Sequence, residues 1–250
     1  GGTCAEADYR RWVFDLRQRG FEIAYHNATS HTSDRAETIR GLEQFERLFG
    51  ANPRSMAFHY NCNENMYWND HRVSGLRRVV YNALTLGKNK NRSYGHVDGH
   101  DQFWGDQCKD RITYVRNFGF SNINTLAACP LMPYYDPNRP FVNSWFGCSE
   151  GSNAETFKKM LQKQKSKLID EAGCCIMYTH FGHGYIQSGK LDPVFCELMT
   201  DLSKESGWFV PVSTILDFLT ERRGIATLSD RQRSRLETRW LWEKIRVGSN

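Results

Sequence analysis

Short apolar runs alternate with amphipathic helical patterns along most of this chain, and this alternation restricts the fold more than any other feature. Strands joined to helices by a few residues favour a mainly parallel sheet covered by helices. Helical periodicity predicts helices at about residues 6–19, 34–49, 76–84, 152–172, 193–205 and 214–222. Strands are predicted at residues 21–25, 55–59, 112–115, 123–126, 174–179 and 208–212. We predict one α/β domain over residues 1–250, built as a (β/α) barrel.

The starts of two predicted helices carry a clear local signal. Asp34 with Glu37, and Ser152 with Glu155, have the spacing of capping boxes, in which two side chains bond backbone groups at a helix start. A doubly wound open sheet is the alternative to the barrel. No G-x-G-x-x-G motif follows a predicted strand, so nothing favours a dinucleotide site in such a sheet.

Composition excludes several classes of protein. With 40% apolar residues among 250, the chain is too apolar for a disordered protein. Its apolar runs are far shorter than the ~20 residues of a membrane span. The net charge of +5 is spread along the chain and indicates no nucleic-acid partner. Eight cysteines without a C-x-x-C pair, and a start without a signal-peptide pattern, predict free thiols and a cytoplasmic location.

Histidines follow three of the predicted strands. The strand at 21–25 runs into His26, the second strand ends at His59, and the strand at 174–179 runs into His180, with His183 close behind. Because the carboxyl ends of parallel strands meet at one edge of a sheet, we expect these side chains to converge. Imidazole is the commonest metal ligand and a suitable general acid or base near neutral pH. The pattern predicts a metal-assisted hydrolase.

Residues 20–31, GFEIAYHNATSH, resemble a segment of a known enzyme family. That segment is G-H-E-I-x-x-H-[ST]-x-x-H of the polysaccharide deacetylases, the NodB-type carbohydrate esterase family 4. Residues 58–61, FHYN, stand where the family has a P-Y-G-like turn, and residues 175–180, CIMYTH, look like its late strand ending in histidine. The resemblance covers roughly residues 10–62 and 170–220.

The resemblance implies a deacetylase-type barrel that hydrolyses an acetyl group on a sugar with a divalent metal, expected to be zinc. By position, His26 and His31 are metal ligands and His180 is the acid that protonates the leaving group. The backbone N–H of Tyr60 matches an oxyanion donor. The two histidines lie one residue further apart than in the family, so Ser30 or Asn27 are the alternatives for a ligand position.

The family's two aspartates, a metal ligand and a base, have no counterpart in this chain. Two alternatives stay open: they lie on a strand upstream of Gly1, or the protein lacks them. An arginine that the family places before the turn is replaced by Ala57.

The Gly-rich residues 87–111 and the proline-marked residues 130–150 are predicted as irregular chain. Within the first of these lies GHVDGHDQFWGD, a run of alternating histidine and aspartate that either binds metal or is an ordinary polar loop. If the loop folds over the rim of the sheet, Asp98, His100 or Asp106 can supply a carboxylate or a substrate contact. The predicted substrate-binding residues are His59, His100, Trp104 and His183.

The function predicted from these features is a metal-dependent, deacetylase-like hydrolase. Its substrate would be an acylated sugar or a surface-polysaccharide precursor in polysaccharide biosynthesis. The alternative is a catalytically inactive member of the same fold that binds a glycan or a protein partner. No nucleic-acid partner and no membrane span are expected.

Overall fold

The computed structural model describes residues 3–247, so the two ends of the predicted domain lie outside the described residues. The helices are α1 (Ala7–Gln18), α2 (Arg35–Phe49), α3 (Leu76–Leu84), α4 (Gly105–Arg111), α5 (Thr125–Ala128), α6 (Ala154–Asp170), α7 (Pro193–Leu202), α8 (Val212–Arg223) and α9 (Asp230–Val247). A 3-10 turn spans Asn69–Arg72. The strands are β1 (Ser55–Met56), β2 (Tyr114–Phe120), β3 (Tyr134–Tyr135), β4 (Ser144–Glu150), β5 (Met177–Tyr178), β6 (Ile186–Gln187), β7 (Lys190–Leu191) and β8 (Ala226–Thr227).

A mostly parallel, six-stranded sheet forms the centre of the protein. Strand β2 lies between β1 and β4, and all three are parallel. The C-terminal end of β4 pairs with β5 in parallel, while its N-terminal end pairs with β3 in an antiparallel direction. Strand β8 extends the sheet beyond β3, and β6 with β7 forms a separate hairpin. This arrangement confirms the predicted α/β class and its parallel sheet.

The prediction of irregular chain over residues 130–150 is wrong in its second half. Strand β4 occupies residues 144–150 and is buried over almost its full length. A strand covered on both faces shows no alternation of apolar and polar residues, and this one contains glycine, serine and cysteine in place of β-branched residues. Its sequence therefore carries neither of the usual strand signals.

Three other predicted strands differ in the structure. Residues 123–126 contain the start of α5, because the Asn124 side chain accepts a hydrogen bond from Ala127 N and so caps a helix. Residues 208–212 form no ladder among the described residues. The predicted strand at 21–25 is reduced to a single parallel bridge from Tyr25 to Met56.

The Glu22 carboxylate nevertheless holds this segment in place. One oxygen accepts a hydrogen bond from Ser55 Oγ at 2.7 Å, and the other accepts one from Ser213 N at 2.8 Å. Ser213 lies in the first turn of α8, where backbone N–H groups lack partners within the helix. The carboxylate thus joins the region around residue 22 to β1 and to α8.

Helix starts follow the predicted rules, with one shift. Asp34 and Glu37 form the predicted capping box of α2. Helix α6 is capped by Asn153 with Thr156, one residue later than the predicted pair of Ser152 with Glu155. Asparagine caps a helix as well as serine does, so the local signal was present at both positions.

A buried ionic network attaches α9 to the loop between β3 and β4 and to the 3-10 turn. Asp136 and Glu237 are fully buried. Arg139 binds both carboxylates, and Arg233 Nε donates to Asp136 Oδ1 at 2.7 Å. Arg139 also donates to the backbone oxygen of Arg72 at 2.7 Å, which positions the 3-10 turn. Breaking one partner of such a buried pair costs about 3–5 kcal/mol, so this network holds the loop and the turn firmly.

The cysteines of the described chain are all free thiols. Four of the eight, Cys62, Cys108, Cys129 and Cys148, are buried among apolar side chains, as small hydrophobic side chains are. In residues 3–247, no helix combines the length and the apolar composition that crossing a membrane requires.

Candidate functional site

His26 lies at the carboxyl end of the sheet, directly after the bridge between Tyr25 and Met56. Its Nδ1 atom is 2.6 Å from the backbone oxygen of Ala57. Because a carbonyl oxygen can only accept, Nδ1 carries the hydrogen and Nε2 keeps its lone pair in the neutral ring. Burial by surrounding atoms lowers the pKa of His26, although part of the ring reaches solvent. A neutral imidazole with a free Nε2 can serve as a base or a ligand.

His59 stands beside His26, with 5.1 Å between their ring centroids. Its Nδ1 atom lies 2.9 Å from the backbone oxygen of Tyr60, so its Nε2 is also the nitrogen with a free lone pair. Cys62 Sγ lies 3.6 Å from the same Nδ1. Burial, followed by the nearby Glu64 charge, raises the pKa of the Cys62 thiol to about 12. The thiol is therefore neutral and is no nucleophile at ordinary pH.

The loops that carry these two histidines are tied together by Asn27. Its amide nitrogen donates to Glu64 Oε1 at 2.7 Å and to Asn65 Oδ1 at 2.9 Å. Its amide oxygen accepts from the backbone N–H of His59 at 3.1 Å. Asn27 has a φ of 60°, in the left-handed region that asparagine tolerates better than most residues. One side chain thus fixes His26 and His59 relative to each other.

His180 follows β5 and is held by its neighbours. The Tyr178 hydroxyl lies 3.1 Å from His180 Nδ1 and 3.0 Å from Nε2. The backbone N–H of His180 donates to Ser152 O at 3.2 Å. The ring of His183 lies with its centroid 5.1 Å from that of His180. The phenol and the two imidazoles form a group able to give or take a proton.

The two histidine pairs influence each other electrostatically. Burial lowers the pKa of His180, and the positive charges of His183, Arg116 and His59 lower it further. The charges of His59, Arg116 and His180 act on His26 in the same direction. Each pair is therefore close enough to influence the other electrostatically. We call His26, His59, His180 and His183 the histidine cluster.

Arg116 is a member of this site that the sequence analysis missed. It lies within β2, and its guanidinium carbon is 4.1 Å from the centroid of the Tyr178 ring. The only available signal was a single charged residue inside the apolar run YVRNFGF. A cation inside a largely buried strand is costly unless it has a function or a partner. The role of Tyr178 was missed as well, and Asn27 was named only as an alternative for a ligand position.

Other predicted site residues are not brought to the histidine cluster. His31 is exposed, and its backbone atoms bond the Thr29 hydroxyl. His100 stacks on Tyr94 with 4.1 Å between ring centroids. Trp104 is fully buried and donates from Nε1 to the backbone oxygen of Glu64 at 2.6 Å, so it supports the Glu64 loop from the core.

The carboxylates of residues 96–106 are not part of the histidine cluster. Asp106 accepts two hydrogen bonds from Arg35 at 2.7 and 2.6 Å, and this pairing holds its pKa well below the usual range. Asp98 and His100 line an open groove of about 710 Å³ next to Arg35, at the start of α2. None of the histidine cluster lines that groove.

The histidine cluster supplies only part of a metal site. His26 and His59 fit two ligand positions, since the Nδ1 of each is bound by a carbonyl, as is usual for metal-binding histidines. Residues 3–247 contain no group of three or more histidine, cysteine or carboxylate side chains able to hold a metal ion. A zinc site needs at least three protein ligands. The described residues do not complete one, and we derive no reaction step through a metal.

Comparison with known proteins gives no relative for this chain: no family model, no curated protein and no solved structure matches it.

Proposed function

We propose that the protein is a deacetylase-like hydrolase that removes an acetyl group from an acylated sugar or a surface-polysaccharide precursor. The convergence of His26, His59 and His180 from three different strand ends carries this proposal. A deacetylase-type barrel is part of the proposal. The parallel order of residue 25, β1, β2, β4 and β5 supports it, because that order is the one a barrel wall requires.

The chemistry needs a base, a water molecule and an acid. His26 offers Nε2 with its lone pair, and the bond from Nδ1 to Ala57 fixes the ring. In the proposed reaction His26 takes a proton from water while the water oxygen attacks the acyl carbon. The bond from the acyl carbon to the sugar nitrogen or oxygen then breaks. His180, held by Tyr178, returns a proton to that leaving atom, which yields acetate and a free amine or alcohol.

His26 and His59 are the only two residues of this proposal that would hold the zinc ion implied by the resemblance. When bound, it would polarise the acyl carbonyl and acidify water.

A second candidate function is supported by one observation. No carboxylate among residues 3–247 forms a hydrogen bond or an ion pair with a ring of the histidine cluster. A fold of this kind that binds a glycan without hydrolysing it would have the same appearance. His59, His183 and the exposed side chains of Tyr60 and Phe181 would then contact the glycan.

Acetate release from acetylated sugars separates the two functions. We expect the purified chain to release acetate, and His26→Ala and His180→Ala each to lower kcat/KM by about 100-fold or more, the usual effect of losing a general acid or base. His31→Ala is the matched control and should keep full activity. Glycan binding without acetate release, unchanged in both variants, would favour the binding function.

A further inference from the structure

Two arginines next to the histidine cluster have no carboxylate partner. Arg72 closes the 3-10 turn, with its guanidinium carbon 3.2 Å from the ring centroid of Trp68 and 5.5 Å from that of Trp240. Its Nε atom is buried without a hydrogen-bond partner. Arg116 rests on the ring of Tyr178. Within residues 3–247, neither guanidinium forms an ion pair.

Trp240 and Phe118 connect the two guanidinium groups, because Arg72 lies over the Trp240 ring and that ring's centroid is 5.3 Å from the ring centroid of Phe118, two residues from Arg116 in β2. Burial lowers the pKa of Arg72 to about 10, and the Arg116 charge adds to this decrease. Arg72 nevertheless remains protonated at neutral pH, since a pKa of about 10 lies far above it. Two like charges thus lie close together in a partly buried place.

The carboxylate nearest to this pair already has a partner. Glu150 at the end of β4 is the carboxylate whose charge opposes the decrease in the Arg72 pKa. Its Oε2 atom lies 2.6 Å from Lys244 Nζ. Within residues 3–247 the Glu150 carboxylate is therefore paired with Lys244 and with neither arginine. Burial raises the pKa of the adjacent Cys148 thiol to about 11, so this thiol supplies no negative charge.

Other arginines in the same region show that the fold can supply carboxylates. Arg77 and Arg139 both bind Glu237, and Arg78 binds Asp70 with 2.8 Å between Nε and Oδ2. Arg72 and Arg116 differ from them in having only aromatic rings as neighbours of the guanidinium plane. A ring face stabilises the cation and leaves its N–H groups free to donate.

We propose that Arg72 and Arg116 bind an oxyanion of the substrate, a carboxylate, sulfate or phosphate group, next to the histidine cluster. A guanidinium presents paired N–H donors that match two oxygens of such a group. The Arg116 charge also acts on His26 and His180, so the bound anion lies beside the histidines. The assignment of the anion to an acylated sugar rests on the proposed function. The binding of an oxyanion is independent of that function.

Calorimetric titration at constant ionic strength tests the binding, with phosphate, sulfate and acetate as probes and chloride as the background salt. We expect at least one oxyanion to bind the wild-type chain and Arg116→Gln to weaken it tenfold or more. Arg116→Lys keeps the charge without the paired donors, so its affinity for the oxyanion should lie between those of the wild type and Arg116→Gln. Arg231→Gln, an exposed arginine of α9 without an ion pair in the described chain, is the control and should bind normally.

A second variant keeps the test valid if Arg116→Gln does not fold. Arg72→Lys retains a charge between the two tryptophans, and it should weaken oxyanion binding while the circular dichroism spectrum stays unchanged. Equal affinity in Arg116→Gln, Arg72→Lys and Arg231→Gln, or no oxyanion binding by the wild type, would overturn the proposal.

Kinetics with a matched pair of substrates separates this proposal from the proposed function. The pair is an N-acetylated sugar acid and its primary amide, which differ only in the carboxylate charge. We expect the acid to have a kcat/KM at least tenfold higher, and Arg116→Gln to remove the preference. Oxyanion binding without hydrolysis of either sugar would refute the hydrolase while the anion site stands. Equal hydrolysis of both sugars without oxyanion binding would refute the anion site while the hydrolase stands.

Discussion

The imidazole rings of His71 and His96 share a hydrogen bond, with 3.1 Å between His71 Nδ1 and His96 Nε2. The backbone N–H of Tyr67 donates to His96 Nδ1 at 3.1 Å, so the proton of His96 is on Nε2 and points to His71. His71 Nε2 lies 3.1 Å from the Arg78 guanidinium, which can only donate, so the outer nitrogens of both rings face N–H donors. A second proton on either ring would replace an acceptor with a donor and break a hydrogen bond.

This pair predicts a loss of stability in acid. Burial, followed by the charges of His71, Arg139 and Arg78, lowers the pKa of His96 to about 3. Burial and Arg78 also lower the pKa of His71, against the opposing charge of Asp70. Unfolded histidines take up protons near pH 6.5. Between that pH and about 3 the unfolded chain therefore binds more protons, and the free energy of unfolding falls as the pH decreases.

Urea unfolding between pH 7 and pH 4.5 measures this slope. Each histidine that stays neutral only when folded contributes about 1.4 kcal/mol per pH unit. His96→Asn keeps an acceptor for Tyr67 N and removes the titration, so its slope should be shallower. His100→Asn is the control in the same segment and should keep the wild-type slope. Parallel slopes for the wild type and His96→Asn would contradict the prediction.

Asn27 is expected to be essential for the arrangement of His26 and His59. Asn27→Ala leaves the buried Glu64 carboxylate without one donor, and a hydrogen bond to a charged group contributes about 1.5–3 kcal/mol. We expect a loss of stability of that size in thermal or urea unfolding, and lower hydrolysis. Asn27→Gly relieves the positive φ and separates the backbone effect from the lost hydrogen bonds. Stability equal to wild type in Asn27→Ala would disprove this role.

Zinc binding through His26 and His59 is expected to be weak and to need excess metal, because these two residues do not complete a zinc site. Added zinc should raise the melting temperature of the wild type, and chelation should reverse the increase. His26→Ala and His59→Ala should each reduce the effect, because each removes a free Nε2. His31→Ala should retain it, because the described contacts do not join His31 to the cluster. Loss of the zinc effect in His26→Ala and His31→Ala, with the effect retained in His59→Ala, would restore the ligand pair expected from the family's spacing.

Replacing Arg116 is expected to change the titration of two histidines. The Arg116 charge lowers the pKa of His26 and of His180, so Arg116→Gln should raise both values toward the ordinary histidine range. Histidine proton signals followed by NMR against pH measure this directly. If hydrolysis requires neutral His26, the acidic limb of kcat/KM should move to higher pH in the variant. Unmoved histidine titrations would show that Arg116 lies too far away to act.

The approach of the predicted histidines to one another could be inferred from the sequence because it follows from topology. A residue placed after a parallel strand lies at the edge of the sheet whatever the details of packing, and His26, His59 and His180 all meet that condition. Arg116 and Tyr178 lie within strands, and their importance depends on which neighbour faces them. That information is in the strand register, which the sequence does not display.

Helix α3 illustrates how packing can reverse a sequence pattern. Its apolar residues Leu76 and Val79 have the spacing of one helix face, yet they are 78% and 63% exposed. The polar side chains turn inward instead, because Arg77 binds Glu237 and Arg78 binds Asp70. Glu237 lies 160 residues from Arg77 along the chain, so no local sequence pattern shows this pair. Burial here follows the ion pairs rather than hydropathy.

The carboxylate of Glu22 has a consequence for how the protein is made. It bonds to a backbone group 191 residues further along the chain, at Ser213. A ribosome releases the chain from its N-terminus, so the segment leading into His26 emerges long before α8 does. Until then Glu22 lacks one of its two partners. The sheet edge that carries the histidine cluster is therefore expected to mature only after α8 has been synthesised, and a nascent chain stopped before residue 213 should leave residues 21–26 open to proteolysis.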